Sequence, residues 1–358
     1  MFLKSLTLAN FRNYEKADFK FTKDIAVLIG PNTCGKTNFV EGVFYLAMGR
    51  SFRAEKDLDL ISFGKNIARI KAELAEKKEL FVIISKEELD TRETIRKKYL
   101  VNGVLKKRSD FAGNLVCVLF SPEDLDIIIG SPVLRRRLLN DLLEQVDRDY
   151  RNAIIAYTKA LRQRNALLDR VKESGVRNEK LFEYWDNLLI QNGAVITKKR
   201  GEFIQFINNF PKEIFDFVAF YDKSIISSAR LIQYKDAEVG AGVTLVGPHR
   251  DDISFHMYPS TGSGQAITHD IKSFGSRGQQ RLTILQLKLI ELSFIEKLTG
   301  ERPILVLDDI FSELDSDHIR LVLEMIKDQQ TFITTTHKEF LDKKTIENSE
   351  MIELKERS

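Results

Sequence analysis

The stretch from Gly30 to Thr37 has residue types and spacing suited to binding phosphate groups. It reads G-x-x-x-x-G-K-T, follows the apolar run "DIAVLI" and precedes a segment with helical spacing, which is the context that this motif requires. Glycines let backbone N–H groups close on phosphate oxygens, and the N-terminus of the next helix adds its dipole. Lys36 would reach the β- and γ-phosphates, and the Thr37 hydroxyl would be a ligand of Mg²⁺. The sequence therefore predicts an ATP site at Gly30, Pro31, Asn32, Thr33, Cys34, Gly35, Lys36, Thr37 and Asn38.

Two adjacent carboxylates, Asp308 and Asp309, end the apolar run "PILVL". In open α/β sheets, ligands collect at the carboxyl ends of the strands. One carboxylate can hold Mg²⁺ through water, and the next can orient or deprotonate an attacking water. We therefore expect Asp308 to be a metal ligand and Asp309 to be catalytic together with Lys36. A pair that only caps the following turn is the alternative.

A third segment, "SRGQ", precedes a long amphipathic stretch and contains Ser276, Arg277, Gly278 and Gln279. Free N–H groups and a hydroxyl at a helix start form an anion site. One nucleotide already has its loop, so a second such site makes sense if it touches the nucleotide held by another copy of the chain. A plain serine helix cap is the alternative.

Composition and charge restrict the class of protein. The 358 residues carry 55 basic and 52 acidic side chains, a net charge of +3, so nucleic acid could bind only through a local patch. Cys34 and Cys117 are the two cysteines, and we expect them to be reduced thiols. No apolar run approaches the roughly 20 residues that span a bilayer, and the start of the chain resembles a strand more than a signal peptide. These features predict a cytoplasmic protein with no membrane partner.

The order of patterns predicts an α/β fold, a mixed sheet with flanking helices, interrupted by a helical insertion. Strand-like runs and the phosphate loop fill residues 1–120, and strand patterns return in 212–358. Between them, Ser121-Pro122 and Ser131-Pro132 are helix-start signals, and residues 121–211 have helical spacing with a break near "KESGVRNEK". We expect this insertion to be the lobe that contacts DNA or a partner. The run "PSTGSGQ" (259–265) predicts a hairpin loop.

The motifs in this order, with "TFITTTH" after the acidic strand, resemble the ATP-binding-cassette (ABC) class. The resemblance implies that Ser276, Arg277, Gly278 and Gln279 form its signature, which contacts ATP across a dimer. It also implies a D-loop at Ser312 and Asp315 and a switch histidine at His337.

Further stretches resemble a particular branch of that class. "NFRNY" is similar to the opening of SMC-like ATPases, and "RSFRAEKDLDLISFG" resembles their arginine loop, with Arg53 as the candidate arginine. "FSPEDLDIIIGSPVLRRRLL", "LVGPHRDDI" and "FGSRGQQR" resemble the bacterial RecF family over nearly the whole chain. The resemblance implies an ABC/SMC-type P-loop ATPase head that uses ATP and Mg²⁺ and forms an ATP-dependent homodimer on DNA. It also implies slow hydrolysis and work with RecR and RecO to load RecA at gaps, which supports the SOS response.

The chain departs from these patterns at three positions. Thr33 stands where the family more often has glycine, Asp309 replaces the glutamate base of most cassettes, and Ser121 stands where a glutamine is expected. The shorter Asp309 would hold water less closely, which fits slow turnover. The ATPase subunit of a membrane transporter and a small-molecule kinase are the alternative functions. A transporter subunit should carry that glutamine and a glutamate base, and this chain has neither. A kinase has no need of "SRGQQ" or "SELD".

Candidate DNA contacts are basic residues near the insertion. At about 100° per residue, Arg148, Arg151, Lys159, Arg162 and Arg170 fall within a stripe of roughly 100°, although a solvated helix face is the alternative. His249 and Arg250 match the family's "GPHRDD", and a buried ion pair of Arg250 with Asp251 or Asp252 is one interpretation. Any contact should be mostly to phosphates. The predicted contact residues are Arg53, Arg135, Arg136, Arg137, Arg148, Arg151, Lys159 and Arg162.

Overall fold

The residues divide by their contacts into two units, Met1–Leu125 with Leu285–Ser358, and Asp126–Ile284. The computed structural model describes residues 1–75, 77–89, 92–258, 268–326, 329–341 and 343–355. Both units combine helices with strands, which confirms the α/β class.

An antiparallel sheet begins the first unit. It contains β1 (Leu3–Phe11), β2 (Tyr14–Lys20), β4 (Ile67–Leu74), β5 (Glu79–Leu89), β6 (Arg92–Val101) and β7 (Val104–Lys106). The strand order is β2-β1-β4-β5-β6-β7. The alternating run "LKSLTLANF" pairs with "YEKADFK", and the Asn102-Gly103 turn has positive φ at both residues, 50° and 75°. Such values are those of the tight hairpin turn that this dipeptide favours.

A parallel sheet carries the phosphate loop. It contains β3 (Ile25–Ile29), β8 (Cys117–Phe120), β12 (Ile304–Asp308), β13 (Thr331–Thr335) and β14 (Ser349–Glu353). The order β14-β3-β13-β12-β8 makes β13 the neighbour of both β3 and β12. Parallel strands end at the same edge, so the end of β3 and the end of β12 lie at the same edge of the sheet.

Helices pack beside these sheets. They are α1 (Lys36–Met48), α2 (Arg108–Phe111), α11 (Ser316–Met325) and α12 (Lys343–Asn348), with 3₁₀ turns at Asp57–Leu60, Pro122–Leu125, Ile310–Glu313 and Lys338–Phe340. Helix α1 ends at Met48, and the φ of 65° at the following Gly49 lets the Gly49 N–H donate to the Tyr45 carbonyl. Phe39 of α1 lies edge-on to Phe19, Phe21 and Phe332 in the core. This aromatic packing holds α1 against the core, directly after the phosphate loop.

The second unit is mostly helical. It contains α3 (Asp126–Ile129), α4 (Pro132–Val146), α5 (Arg148–Ser174), α6 (Glu179–Asn209), α7 (Ser228–Gln233), α8 (Lys235–Ala241) and α9 (Ile271–Phe274). A small antiparallel sheet joins β9 (Val218–Asp222), β10 (Asp252–Met257) and β11 (His269–Asp270), and a 3₁₀ turn covers Pro248–Arg250. Helix α10 (Arg277–Thr299) begins in this unit and ends in the first. The predicted break between long helices lies at 175–178.

The second unit extends further along the chain than the predicted insertion 121–211. Its boundaries fall at Asp126 and Ile284, because β9 and β10 pair with each other instead of joining a sheet of the head. A strand pattern shows that a segment forms a sheet, but it does not show with which strands. The predicted loop 259–265 lies outside the described residues.

Cys34 and Cys117 are both buried and free of disulfides. Among the residues that the structure describes, no helix has the length and apolar content to cross a membrane.

Candidate nucleotide site

The loop between β3 and α1 has glycines at two positions where neighbouring atoms leave no room for a Cβ. Gly35 has φ of 112°, and a Cβ there would lie 2.9 Å from the Tyr14 hydroxyl oxygen and 3.0 Å from Asn13 Oδ1. A Cβ on Gly30 would lie 2.5 Å from the Leu354 carbonyl oxygen. Thr33 adopts φ of 71°, a value that glycine adopts at no steric cost. The loop therefore keeps its curvature although Thr33 departs from the family pattern.

Lys36 lies inside the curve of this loop. Its Nζ donates hydrogen bonds to the carbonyl oxygens of Gly30 at 2.7 Å and Pro31 at 2.9 Å, and only 7% of the residue is exposed. The ammonium group is therefore held among the loop's own backbone groups, where a phosphate cradled by the loop would meet it. The contact of Lys36 with phosphate stays a prediction.

Thr37 and Asp308 are brought together although 271 residues separate them. The Thr37 hydroxyl donates to Asp308 Oδ1 at 3.3 Å, and Thr334 Oγ1 donates to the same oxygen at 2.6 Å. Burial raises the pKa of Asp308 above its ordinary value, despite both hydroxyl bonds. A buried carboxylate beside a hydroxyl gains from a cation, and oxygen donors are the ligands that Mg²⁺ prefers. The residues therefore fit the predicted magnesium site.

Asp309 follows in a conformation that few residues adopt. Its φ of 51° is left-handed, a region in which Asp and Asn are enriched among residues with a side chain. Its N–H donates to the Thr334 carbonyl and hydroxyl oxygens, each at 3.1 Å, and its carbonyl accepts from Ser312 at 2.8 Å. The end of β12 is thus tied to β13 and to the turn that carries the predicted D-loop.

The predicted D-loop and switch residues lie in the same unit. Asp315 caps α11 by accepting from the His318 N–H at 3.0 Å, and the His318 bonds lower the pKa of Asp315 below its ordinary value. The His337 N–H donates to Thr335 Oγ1 at 3.2 Å, just after β13. His337 therefore follows the neighbour of the acidic strand, as the cassette pattern implies.

The predicted signature begins α10 in the second unit. The Gln279 N–H donates to Ser276 Oγ at 3.2 Å, and the Ser276 N–H donates to Gln279 Oε1 at 2.8 Å. This reciprocal arrangement is a capping box, so the simple cap does form here. Ser276 and Arg277 are exposed, which leaves the serine accessible to a second molecule.

A buried glutamate next to the site is absent from the sequence predictions. Glu41 is fully buried and accepts a forked pair of hydrogen bonds from Arg12 at 2.7 and 2.8 Å. Arg53 donates to it at 3.0 and 3.2 Å, and Ser51 at 2.5 Å. A signal for it exists, because Glu41 is the single charged residue between Asn38 and Gly49.

The "NFRNY" segment connects this glutamate to the phosphate loop. Asn13 Nδ2 donates to the Thr33 carbonyl at 3.1 Å, and Asn13 Oδ1 accepts from Asn38 at 2.6 Å. Tyr14 donates to the Gly35 carbonyl at 3.1 Å. The Arg53 guanidinium also bonds to the Asn38 side chain. The structure therefore places Arg53, which is also a predicted DNA contact, beside the nucleotide loop.

We expect Glu41→Gln to destabilise the protein by roughly 3 kcal/mol. This value is the low end of the range for breaking a buried ion pair, because both arginines are partly exposed. Burial tends to raise the pKa of Glu41, but the bonds from Arg12 and Ser51 and the charge of Arg53 lower it below the ordinary value. A lowered folded-state pKa gives stability that is present above the unfolded pKa and lost as pH falls through the folded one. The difference in free energy of unfolding between parent and variant should therefore shrink below about pH 4.

Denaturant titrations at several pH values measure this difference. Glu15→Gln is the matched control, since Glu15 is exposed and pairs with Lys65 at the surface, and such pairs contribute about 0–1 kcal/mol. A difference for Glu41→Gln that stays constant down to pH 3 would contradict the assignment.

Two predicted DNA contacts are buried structural arginines. Arg135 pairs with Asp252 at 2.7 and 3.0 Å and donates to two carbonyls near the end of α3. Arg151 donates to the Glu144 and Gln145 carbonyls at the end of α4. Both are less than 10% exposed, 4% and 7%. The prediction that these two contact DNA is therefore wrong, because each satisfies backbone carbonyls inside the unit.

The other basic candidates are more accessible. Arg136 is half-buried and donates to the Asp251 carbonyl at 2.7 Å, and Arg137 pairs with Asp141 one turn away at 3.5 Å. Arg148, Lys159 and Arg162 are exposed along α5. These residues remain candidates for contact with phosphates.

The "GPHRDD" segment forms ion pairs different from those considered for Arg250. Asp251 pairs with Arg200 at 2.9 Å and Asp252 pairs with Arg135, whereas Arg250 donates to the Thr244 carbonyl at 3.2 Å. The aspartates therefore hold arginines from α4 and α6. Sequence adjacency to Arg250 did not indicate these distant partners.

Comparison with known proteins gives a consistent picture. The chain matches the family described as the RecF/RecN/SMC N terminal domain over residues 2–357. It is 37% identical over 369 residues to the DNA replication and repair protein RecF of Shouchella clausii (strain KSM-K16), covering 96% of this chain and 94% of that protein. The RecF of Halalkalibacterium halodurans is 34% identical over 384 residues, covering 100% and 99%. A solved structure of the recombination mediator protein RecF-ATP in the RecFOR pathway is similar with a TM-score of 0.82 and 29% identity, covering 95% of this chain and 93% of that one.

Proposed function

The chain belongs to the RecF family of DNA replication and repair proteins, and we propose that it is an ATP-driven homodimeric clamp on DNA. The relatives are named for DNA replication and repair, and one similar structure is that of a RecF with ATP. In this proposal ATP joins two copies of the chain, and hydrolysis to ADP and phosphate releases them.

The contact between Thr37 and Asp308 carries the nucleotide part of the proposal. A phosphate loop alone occurs in many proteins, but here its threonine hydroxyl lies 3.3 Å from a buried carboxylate at the end of β12. That pairing is expected where a metal and a triphosphate are bound together. In this proposal Asp309, the next residue, lies at the end of the triphosphate where water would attack.

The chain's own residues would then act as follows. Lys36 holds the β- and γ-phosphates, and Thr37 and Asp308 hold Mg²⁺, which when bound neutralises charge that develops on the phosphates. Asp309 orients or deprotonates the attacking water. Ser276 to Gln279 of one copy contact the ATP of the other, with Ser312, Asp315 and His337 at the seam. The short Asp309 side chain makes hydrolysis slow, so that ATP acts as a switch, weakly stimulated by DNA.

The second unit is the lobe that we assign to DNA. Its exposed cations include Arg148, Lys159 and Arg162 on α5, and they suit the phosphate backbone of duplex or gapped DNA. By family membership we further propose that the protein acts in the cytoplasm with RecR and RecO to promote RecA loading at gaps and SOS induction. An ATPase subunit of a transporter has no observation in its favour here.

Sedimentation velocity with Mg²⁺ and ATP, and then ADP, each with and without a gapped duplex, tests the proposal. We expect a dimer with ATP, a monomer with ADP, and a larger dimer fraction when DNA is added, because binding that favours one state shifts the population toward it. A folded sample that stays monomeric at saturating ATP, with and without DNA, would overturn the clamp.

A further inference from the structure

A cavity of about 250 Å³ opens in the second unit between α4, α5 and the Pro248–Arg250 turn. Its polar lining comes from Arg136, Asn140, Tyr157, Thr158, Arg200 and His249, and none of the described residues that line it carries a carboxylate. One water occupies about 30 Å³ of the liquid. By this measure the cavity is large enough for a phosphate and part of a sugar.

Most of the lining is apolar, and the hydrogen-bond donors that it presents come from Asn140 and Arg136. Asn140 Oδ1 accepts from Tyr150 and Arg200, so its amide nitrogen remains as a donor. Arg136 uses one Nη for the Asp251 carbonyl, and its other nitrogens have no partner among the described residues. An anion with several acceptor oxygens satisfies such a lining.

His249 cannot supply an acceptor either, because both ring nitrogens are engaged. Its Nε2 lies 3.0 Å from the Thr244 carbonyl and therefore carries the proton, and its Nδ1 lies 2.8 Å from the Tyr157 hydroxyl, which donates. Burial, with the charges of Arg250 and Arg136, lowers the pKa of His249 to about 4. The ring is thus a neutral, fixed part of the wall.

The positive charges around the cavity exceed the negative ones. Arg200 is paired with Asp251 and Arg135 with Asp252, which uses both aspartates of "GPHRDD". Arg136 and Arg250 have no carboxylate partner among the described residues. Burial and the nearby charge of Arg200 lower the pKa of Arg136 below its ordinary value. A bound anion would offset this repulsion.

The cavity also has an apolar wall and lies beside the basic stripe of α5. Ile154, Leu161 and Pro248 line it, and Thr158 lies at its exposed rim. Arg162 lies one turn after Thr158, so the two are neighbours on the helix surface. A chain of phosphates could therefore pass from the cavity along Arg162 and Lys159.

We propose that this cavity binds one phosphodiester group of DNA, with Arg136 and the Asn140 amide on its oxygens and the attached sugar against Ile154 and Leu161. The inference rests on the proposed DNA binding and adds a defined contact to it. Free phosphate shares the chemistry, but the continuity of the cavity with the α5 cations favours a backbone phosphate.

The test compares Thr158→Glu with Thr158→Gln in binding a fluorescein-labelled gapped duplex with ATP present. The two side chains have the same shape, and position 158 is exposed, so the difference between them is one negative charge at the rim. We expect Thr158→Glu to bind about tenfold more weakly and to lower the slope of log K against log salt by about 0.9, the value for one lost phosphate contact. Thr158→Gln should bind like the parent protein.

Arg136→Gln is the second variant, and melting curves report whether each variant folds. Equal affinities for Thr158→Glu and Thr158→Gln, or a parent-like salt slope in Arg136→Gln, would overturn the cavity while leaving DNA binding intact. A parent protein that binds no duplex would instead overturn the proposed function. In that case, if inorganic phosphate raises the melting temperature of the parent but not of Arg136→Gln, the cavity holds free phosphate and the DNA assignment is overturned.

Discussion

Lys36→Ala is expected to lose ATP binding almost completely. The Nζ atom lies 2.7 and 2.9 Å from two carbonyls of the loop, so its charge is placed where the triphosphate would lie. Loss of one partner from a buried, hydrogen-bonded charge pair costs about 2–5 kcal/mol, which corresponds to about 30-fold to about 4,000-fold in dissociation constant. Titration of the variant with a fluorescent ATP analogue, with Mg²⁺ present, measures the loss.

Lys65→Ala provides the matched control for this loss. It removes the same charge from the same unit, but Lys65 pairs with Glu15 at the surface and lies outside the loop. Its nucleotide affinity should equal that of the parent. If Lys36→Ala keeps the parent's affinity while both variants melt alike, the loop between β3 and α1 is not the nucleotide site.

The phosphate loop was predictable because its chemistry is local. Gly30 to Thr37 are consecutive in the sequence. The φ of 112° at Gly35 is a conformation that glycine adopts readily, so the residue type alone indicates it. Asp308 was also predictable, since apolar strands end at sheet edges. Its partner Thr37 followed from the motif, and the parallel order of β3, β13 and β12 accounts for how the two meet.

The support around the loop was less predictable because it depends on contacts between distant segments. Glu41 binds Arg12 and Arg53, which come from the turn after β1 and from the segment after α1. No spacing rule connects these three positions. An isolated charge in an apolar helix was the available signal, and it indicates a buried partner without identifying it.

The basic stripe of α5 shows the limit of helical periodicity. Arg148, Arg151 and Arg162 share one face by angle, yet Arg151 is buried and the other two are exposed. Arg151 is buried because it lies in the first turn of α5, where its side chain donates to carbonyls at the end of α4. A helical wheel gives the direction of a side chain, but it does not show which groups of a neighbouring helix lie in that direction.

Ser276→Arg is expected to abolish the ATP-dependent dimer while leaving ATP binding in each copy unchanged. In the proposed clamp Ser276 contacts the nucleotide of the second copy, and a bulky side chain there would keep the two copies apart. The phosphate loop of the same chain contains Lys36 and Thr37 and is not altered. Sedimentation with ATP should show the monomer that the parent shows with ADP, and ATP affinity should stay within about twofold, an energy below about 0.5 kcal/mol.

The substitution also removes a helix cap, so the cap must be separated from the dimer contact. Ser276 Oγ accepts from the Gln279 N–H, and loss of such a cap costs about 1 kcal/mol of stability. Ser276→Asn retains a capping oxygen, whereas Ser276→Ala removes the cap without adding bulk. If the serine only caps α10, Ser276→Ala and Ser276→Arg should lose similar stability and both should still dimerise. A dimer that persists in Ser276→Arg would mean that this helix start does not face the second nucleotide, and the seam would have to be sought on another surface.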